Sequence, residues 1–266
     1  MSTLAAALPT PSLVSADVLK LRKRFGLVAV IALLTVGAVI LADAVIELLH
    51  VYSPATHSPA GGVTMLGHLA FTIGALGAVA AAIVGSTAGS GDLDSGVYRD
   101  LVVTGRSRLA LYASRIPAGL LFLLPFVAAA YALEAVVSVV FAGSHPLPST
   151  YLLAVTGLWI LLKVAFYYLL AVGVACLIGS RSYTIGILLA WTMAISPLLA
   201  SISQLGVVRQ AVPAVALDSL LPAALGDSAR QGPAIATAVT TVALVLVAWV
   251  LAALAAGAWR DTRRDA

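Results

Sequence analysis

The chain has 266 residues, of which 61% are hydrophobic and 10% charged, and its mean hydropathy is +1.07. A soluble domain averages about 45–50% apolar residues, so this composition excludes a soluble globular fold and leaves no room for a soluble domain within these residues. The net charge of +4 does not indicate nucleic acid, because the basic residues form short clusters beside apolar runs, which is the pattern of membrane topology.

Residues 1–24 are the most polar part of the N-terminal third. Ser15 is placed to cap a short helix whose cluster Lys20, Arg22, Lys23 and Arg24 suits anionic headgroups. A membrane span takes about 20 predominantly apolar residues, since a helix must satisfy its own backbone in lipid. Six stretches qualify: 25–49, 65–87, 117–142, 151–178, 185–203 and 234–259, with 260–266 as a tail. In the first, Ala42, Asp43 and Ala44 are a faint match to a signal-peptide cleavage site, but the apolar run is longer than the about 7–15 residues of such a peptide and is read as a span. The second is rich in Gly and Ala, which permits close helix approach. The link 204–233, interrupted by Pro213, Pro222 and Pro233, is expected to form short helices lying at the outer surface.

Counting Lys and Arg beside the spans sets the orientation. With the N-terminus inside, twelve lie on the cytoplasmic side, two (Arg209 and Arg230) lie outside, and Lys163 is within a span. Both termini are therefore expected in the cytoplasm of a plasma membrane protein. Arg exceeds Lys twelve to three, a usage suited to a GC-rich bacterial genome. Cys176, the single cysteine, sits in an apolar run and is read as a core residue, which excludes a disulfide framework.

The segment 89–115, GSGDLDSGVYRDLVVTGRSRLALYASR, carries seven charged residues between two apolar runs and must be a water-facing loop. Asp92 to Gly96 is turn chemistry. From Val97 the spacing predicts a short amphipathic helix, with Val97, Tyr98, Leu101 and Val102 on one face and Arg99, Asp100 and Thr104 on the other. Gly105 suits its end, and Ser107 is placed to cap a second helix leading into the third span.

The run 94–108, DSGVYRDLVVTGRSR, resembles the first cytoplasmic loop of ABC-2 type transporter permeases. There an acidic residue precedes a Gly-Thr or Ser-Gly pair, a coupling helix follows, and a small residue or Pro leads to a basic pair entering the third span. The likeness extends to the six-span layout, the basic helix before the first span and the longer link before the sixth. This chain offers Asp92 and Asp94 where Glu is common, Val97 where Thr often follows Gly, and Gly105 where Pro is common.

The resemblance implies an all-α membrane permease with a cytoplasmic coupling helix between spans two and three. That helix would dock on an ABC ATP-binding subunit through Asp92, Asp94, Gly96, Val97, Tyr98, Arg99, Asp100, Leu101, Val102, Gly105, Arg106 and Arg108. It further implies export, and pairing with a second permease copy or a related permease in the bilayer. A P-loop needs Gly-Lys before Ser or Thr to cradle phosphates. Lys20, Lys23 and Lys163 are the only lysines and none follows a glycine, so ATP and Mg are expected on the partner and no cofactor or catalytic residue on this chain.

Within the spans, Lys163 lies about twelve residues into the fourth, roughly 18 Å deep, where a charge costs at least about 2.5 kcal/mol and requires a partner or water. Glu134, Asp43 and Glu47 lie roughly 3–12 Å from the outer ends of their helices. A Lys163 pair with Glu134 or Asp43 that fixes helix packing is expected, against the alternative of a polar lining for an ion-coupled secondary transporter. Asp43, Glu47 and His50 share a helix face but, near the interface, are read as solvated rather than metal-binding. The spans carry no nucleophile elbow, HExxH or paired-carboxylate motif, which argues against an intramembrane enzyme. A membrane anchor without cargo is the remaining rival.

Overall fold

The structure, a computed structural model, describes residues 10–94, 96, 107–229, 235 and 237–263. Among these the regular structure is entirely helical. Six helices are long and apolar enough to cross a membrane: α2 (Phe25–Tyr52), α3 (Val63–Asp94), α4 (Arg108–Val140), α5 (Thr150–Ile178), α6 (Arg181–Ser201) and α8 (Val239–Arg263). Before them lies α1 (Pro11–Arg22), and between α6 and α8 the short α7 (Pro213–Ser219).

Local sequence explains most of the boundaries. α1 starts at Pro11 rather than after Ser15, because proline's fixed φ suits the first helical turn and its missing N–H is not needed there. Ser15 instead turns its hydroxyl to the Ser12 carbonyl at 3.0 Å. Ser107 caps α4 by accepting from the Ala110 N–H at 3.1 Å, and Ser149 caps α5 through Leu152 N–H at 3.2 Å. α5 ends at Gly179, whose φ of +78° only glycine adopts without strain. One π-turn interrupts α2 at Leu33–Gly37 and another interrupts α6 at Trp191–Ile195. In each, a buried threonine donates back one turn, Thr35 to Ile31 O at 2.7 Å and Thr192 to Leu188 O at 2.8 Å.

α3 and α5 form the centre. About two-thirds of their most apolar windows is buried, against 11–28% in the other spans, whose outer faces carry apolar side chains such as Phe25, Leu158 and Leu244. Small residues let the central pair touch. A Cβ on Gly85 would stand 2.5 Å from that of Ala171, and one on Gly89 2.6 Å from that of Ala175, so the glycines of α3 lie directly on α5. Gly173 of α5 meets the α8 backbone at Ala253 and Gly257 in the same way.

In the link between α6 and α8, Ser203–Ala211 holds no buried residue, whereas α7 departs from the surface placement expected of it. Pro213, Ala214, Val215, Ala216 and Leu217 of α7 are all buried, and Trp159 of α5 donates its indole N–H to Leu217 O at 2.7 Å. α7 dips into the bundle because five consecutive small or apolar residues are better covered by helices than left at an interface.

Candidate functional site: a charged junction at the basic end

One end of the bundle carries α1, the ends of α3 and α5, and the starts of α4 and α6. Its centre is Arg115, eight residues into α4 and only 3% exposed. Its guanidinium donates to Gly89 O of α3 at 3.1 Å and to the Cys176 sulfur of α5 at 3.3 Å. It also faces the carboxylates of Asp92 at 3.8 Å and of Asp261, in the last turn of α8, at 3.9 Å. A planar, always-charged fork is the side chain best suited to several fixed acceptors at once. Cys176 passes its own S–H to Gly89 O at 3.2 Å, so the expected core cysteine is also part of this junction.

α1 is tied to the same point. Lys20 stands 3.1 Å from Asp17 and 3.5 Å from Asp92, while Ser114 donates to Asp17 at 2.6 Å. Tyr168 of α5 donates to Arg115 O at 2.6 Å and Tyr112 to Leu254 O of α8 at 2.8 Å. At the start of α4, Arg108 reaches Thr262 O at 3.4 Å. Five helices thus converge on residues that flank the 89–115 segment. The space left between α1, α3 and α4 is about 30 Å³, enough for a water or two and no substrate, so this is a joint and not a pocket.

The structure corrects the reading of Asp92. It is helical, on the last turn of α3, not part of a turn, because pairing with Lys20 and Arg115 holds the helix beyond its apolar stretch. Asp94 ends α3 and Gly96 follows with φ +73° and open space beside its Cα. The expected coupling helix, with Val97, Tyr98, Arg99, Asp100, Leu101 and Val102, lies outside the described residues, as do Gly105 and Arg106. In the sequence Arg115 is a topology signal, and nothing in the spacing of Asp17, Ser114 and Asp261 marks them as its neighbours. A usable hint was the position of Arg115 on the helix that Ser107 caps, beyond which only apolar sequence follows.

Deep in the bundle, Lys163 is 5% exposed and its ammonium lies 3.6 Å from Asp218 on α7, over the Trp159 ring at 4.7 Å from its centroid. The expected pair with Glu134 or Asp43 is therefore not formed. The dip of α7 supplies a nearer acid, and Gly74 of α3 leaves room for the lysine stem at its side. Asp43 and Glu134 face each other instead, across α2 and α4. Glu47, one turn along α2, accepts the Ala60 N–H at 3.0 Å. Among the described residues no group of three His, Cys, Asp or Glu could hold a metal ion.

No protein-family model matches this chain, and no curated protein matches it.

Proposed function

We propose that this chain is the membrane-embedded permease subunit of an ATP-driven exporter of the ABC-2 type, working with a separate ATP-binding subunit and a second permease. The observation that carries the reading is where the 89–115 segment is anchored. Its sequence resembles that family's coupling loop, and its two roots, Asp92 and Arg115, belong to one network, centred on the buried Arg115, with α1, α5 and α8. A force applied to residues 97–106 from the cytoplasm would reach five helices through ion pairs and hydrogen bonds rather than through a slack linker.

On this reading the basic end is cytoplasmic, as the distribution of Lys and Arg requires. ATP binding draws the two ATP-binding subunits together, the loop moves with them, and the Arg115 junction tilts α3, α4 and α8 to open the path outward. The chain itself makes and breaks no covalent bond. An ion-coupled transporter is the weaker alternative, because Lys163, one of the three charges it called on, is committed to Asp218.

The test is purification of the chain from its native membrane in mild detergent, with mass spectrometry of what accompanies it. A soluble protein with a P-loop in roughly equal amount, released by Arg99→Glu or Asp94→Lys, is the expected result. A chain that comes alone and intact overturns the reading.

A further inference from the structure

Glu134 is wholly buried and Asp43 is 8% exposed, and among the described residues no group outside the pair donates a hydrogen bond to any of their four carboxyl oxygens. Buried carboxyls left without a donor are rare, because each forfeits hydration worth a few kcal/mol. The side chains stand face to face, and Tyr131 is a further ionisable group whose field reaches Glu134. Neither forms an ion pair among the described residues, and Lys163, the one lysine within a span, is paired with Asp218. Two adjacent acids inside a membrane protein need a positive charge that this chain's own side chains do not supply there.

We infer that the Asp43–Glu134 pair binds one small monovalent cation, a proton or an alkali-metal ion, taken up from the end of the bundle opposite Arg115. Oxygen-only donors suit hard cations. A divalent ion such as Ca²⁺ takes about six to eight oxygens, and among the described residues no third acidic or histidine ligand joins the pair. A largely apolar cavity adjoins Asp43, though Glu134 does not line it. Its volume is about 370 Å³, and it lies between α2, the 53–62 link and the end of α4, lined by Asp43, Glu47, Ala60, Val137 and Phe141. Glu47, fixed by Ala60 N–H at its wall, offers a relay carboxylate one turn from Asp43.

Polar groups beside the pair include Tyr131 on α4, whose hydroxyl donates to Leu153 O of α5, and Thr156 of α5 next to it. The site does not depend on the ATP-driven reading and stands or falls separately from it.

The experiment uses the purified full-length chain in lipid nanodiscs and the carboxyl reagent dicyclohexylcarbodiimide, with the modified residue located by peptide mass spectrometry. Labelling is expected at Glu134 or Asp43 and is expected to fall about tenfold when the cation site is changed from one state to the other, as ligand at about ten times its Kd requires. Loss on raising pH in sodium-free buffer identifies the proton. Protection by sodium or potassium at fixed pH, with choline as control, identifies the alkali ion. Absence of label at both residues overturns the inference, and so does label that neither pH nor cation alters. Glu134→Gln, if it folds, removes the cation-sensitive label; because the primary readout is on the unaltered chain, a variant that does not fold leaves the test intact.

Discussion

Arg115 and Asp261 meet at 3.9 Å with both side chains buried, an ion pair that binds the first third of α4 to the last turn of α8. Removing one member of such a pair strands the other, which typically costs about 3–5 kcal/mol. Arg115→Ala should therefore lower the thermal midpoint in detergent markedly, and Asp261→Asn in that background should recover part of the loss. Scanning fluorimetry on the two variants and the double variant measures this. Equal midpoints for Arg115→Ala and the unaltered chain would contradict the account of the junction.

The Lys163–Asp218 contact makes a parallel prediction inside the bundle. Lys163→Met takes the ammonium away from Asp218 and from the Trp159 ring, and Asp218→Asn removes the carboxylate charge facing the lysine. Each single change should destabilise by several kcal/mol, while the double change should cost less than their sum. A coupling of at least about 1 kcal/mol in the double-mutant cycle is the expected value for contacting charges. Additive effects would mean that α7 is held by its apolar residues alone.

Gly96 tests the loop by backbone rather than by contact. Its φ is +73° and a Cβ there meets nothing within 4 Å, so a substitution acts through strain of about 1–2 kcal/mol. Gly96→Val should impair transport and ATPase coupling, Gly96→Asn should be much milder because Asn tolerates left-handed φ, and both should insert normally. Identical transport by the Val variant and the unaltered chain would remove the reason for assigning this turn a role.

The crossing of α3 and α5 depends on Gly85 and Gly89. Gly85→Ile must push Ala171 and the backbone at Tyr168 apart, and overpacking of this kind costs about 1–3 kcal/mol. A lower thermal midpoint with unchanged membrane insertion is expected, whereas the same change at Gly186, where a Cβ meets nothing within 4 Å, should be close to neutral.

Topology can be read chemically, since the native Cys176 is buried and gives little background. Single cysteines at Thr56 and Ser144 should react with a membrane-impermeant maleimide added to intact cells, and one at Thr262 only after lysis. Reversed labelling would invert the bundle and move the Arg115 junction to the outer face.

Composition, hydropathy and local motif determined the class of this protein, its six spans and the cap at Ser107, while the cap expected at Ser15 does not form. These follow from short-range physics: a backbone in lipid must hydrogen-bond to itself, so an apolar run of sufficient length is a helix wherever it lies, and Ser107 or Gly179 acts on its own helix end. What the charged residues do was decided only by the fold. Asp92, Arg115 and Asp261 are far apart in the chain and look like topology signal or tail until α3, α4 and α8 are packed side by side. Lys163 has several acids within plausible reach in sequence terms, and the choice of Asp218 over Glu134 or Asp43 rests on the descent of α7 into the bundle. A charge in a low-dielectric interior takes whichever counter-charge the packing brings nearest, and that proximity belongs to the tertiary structure.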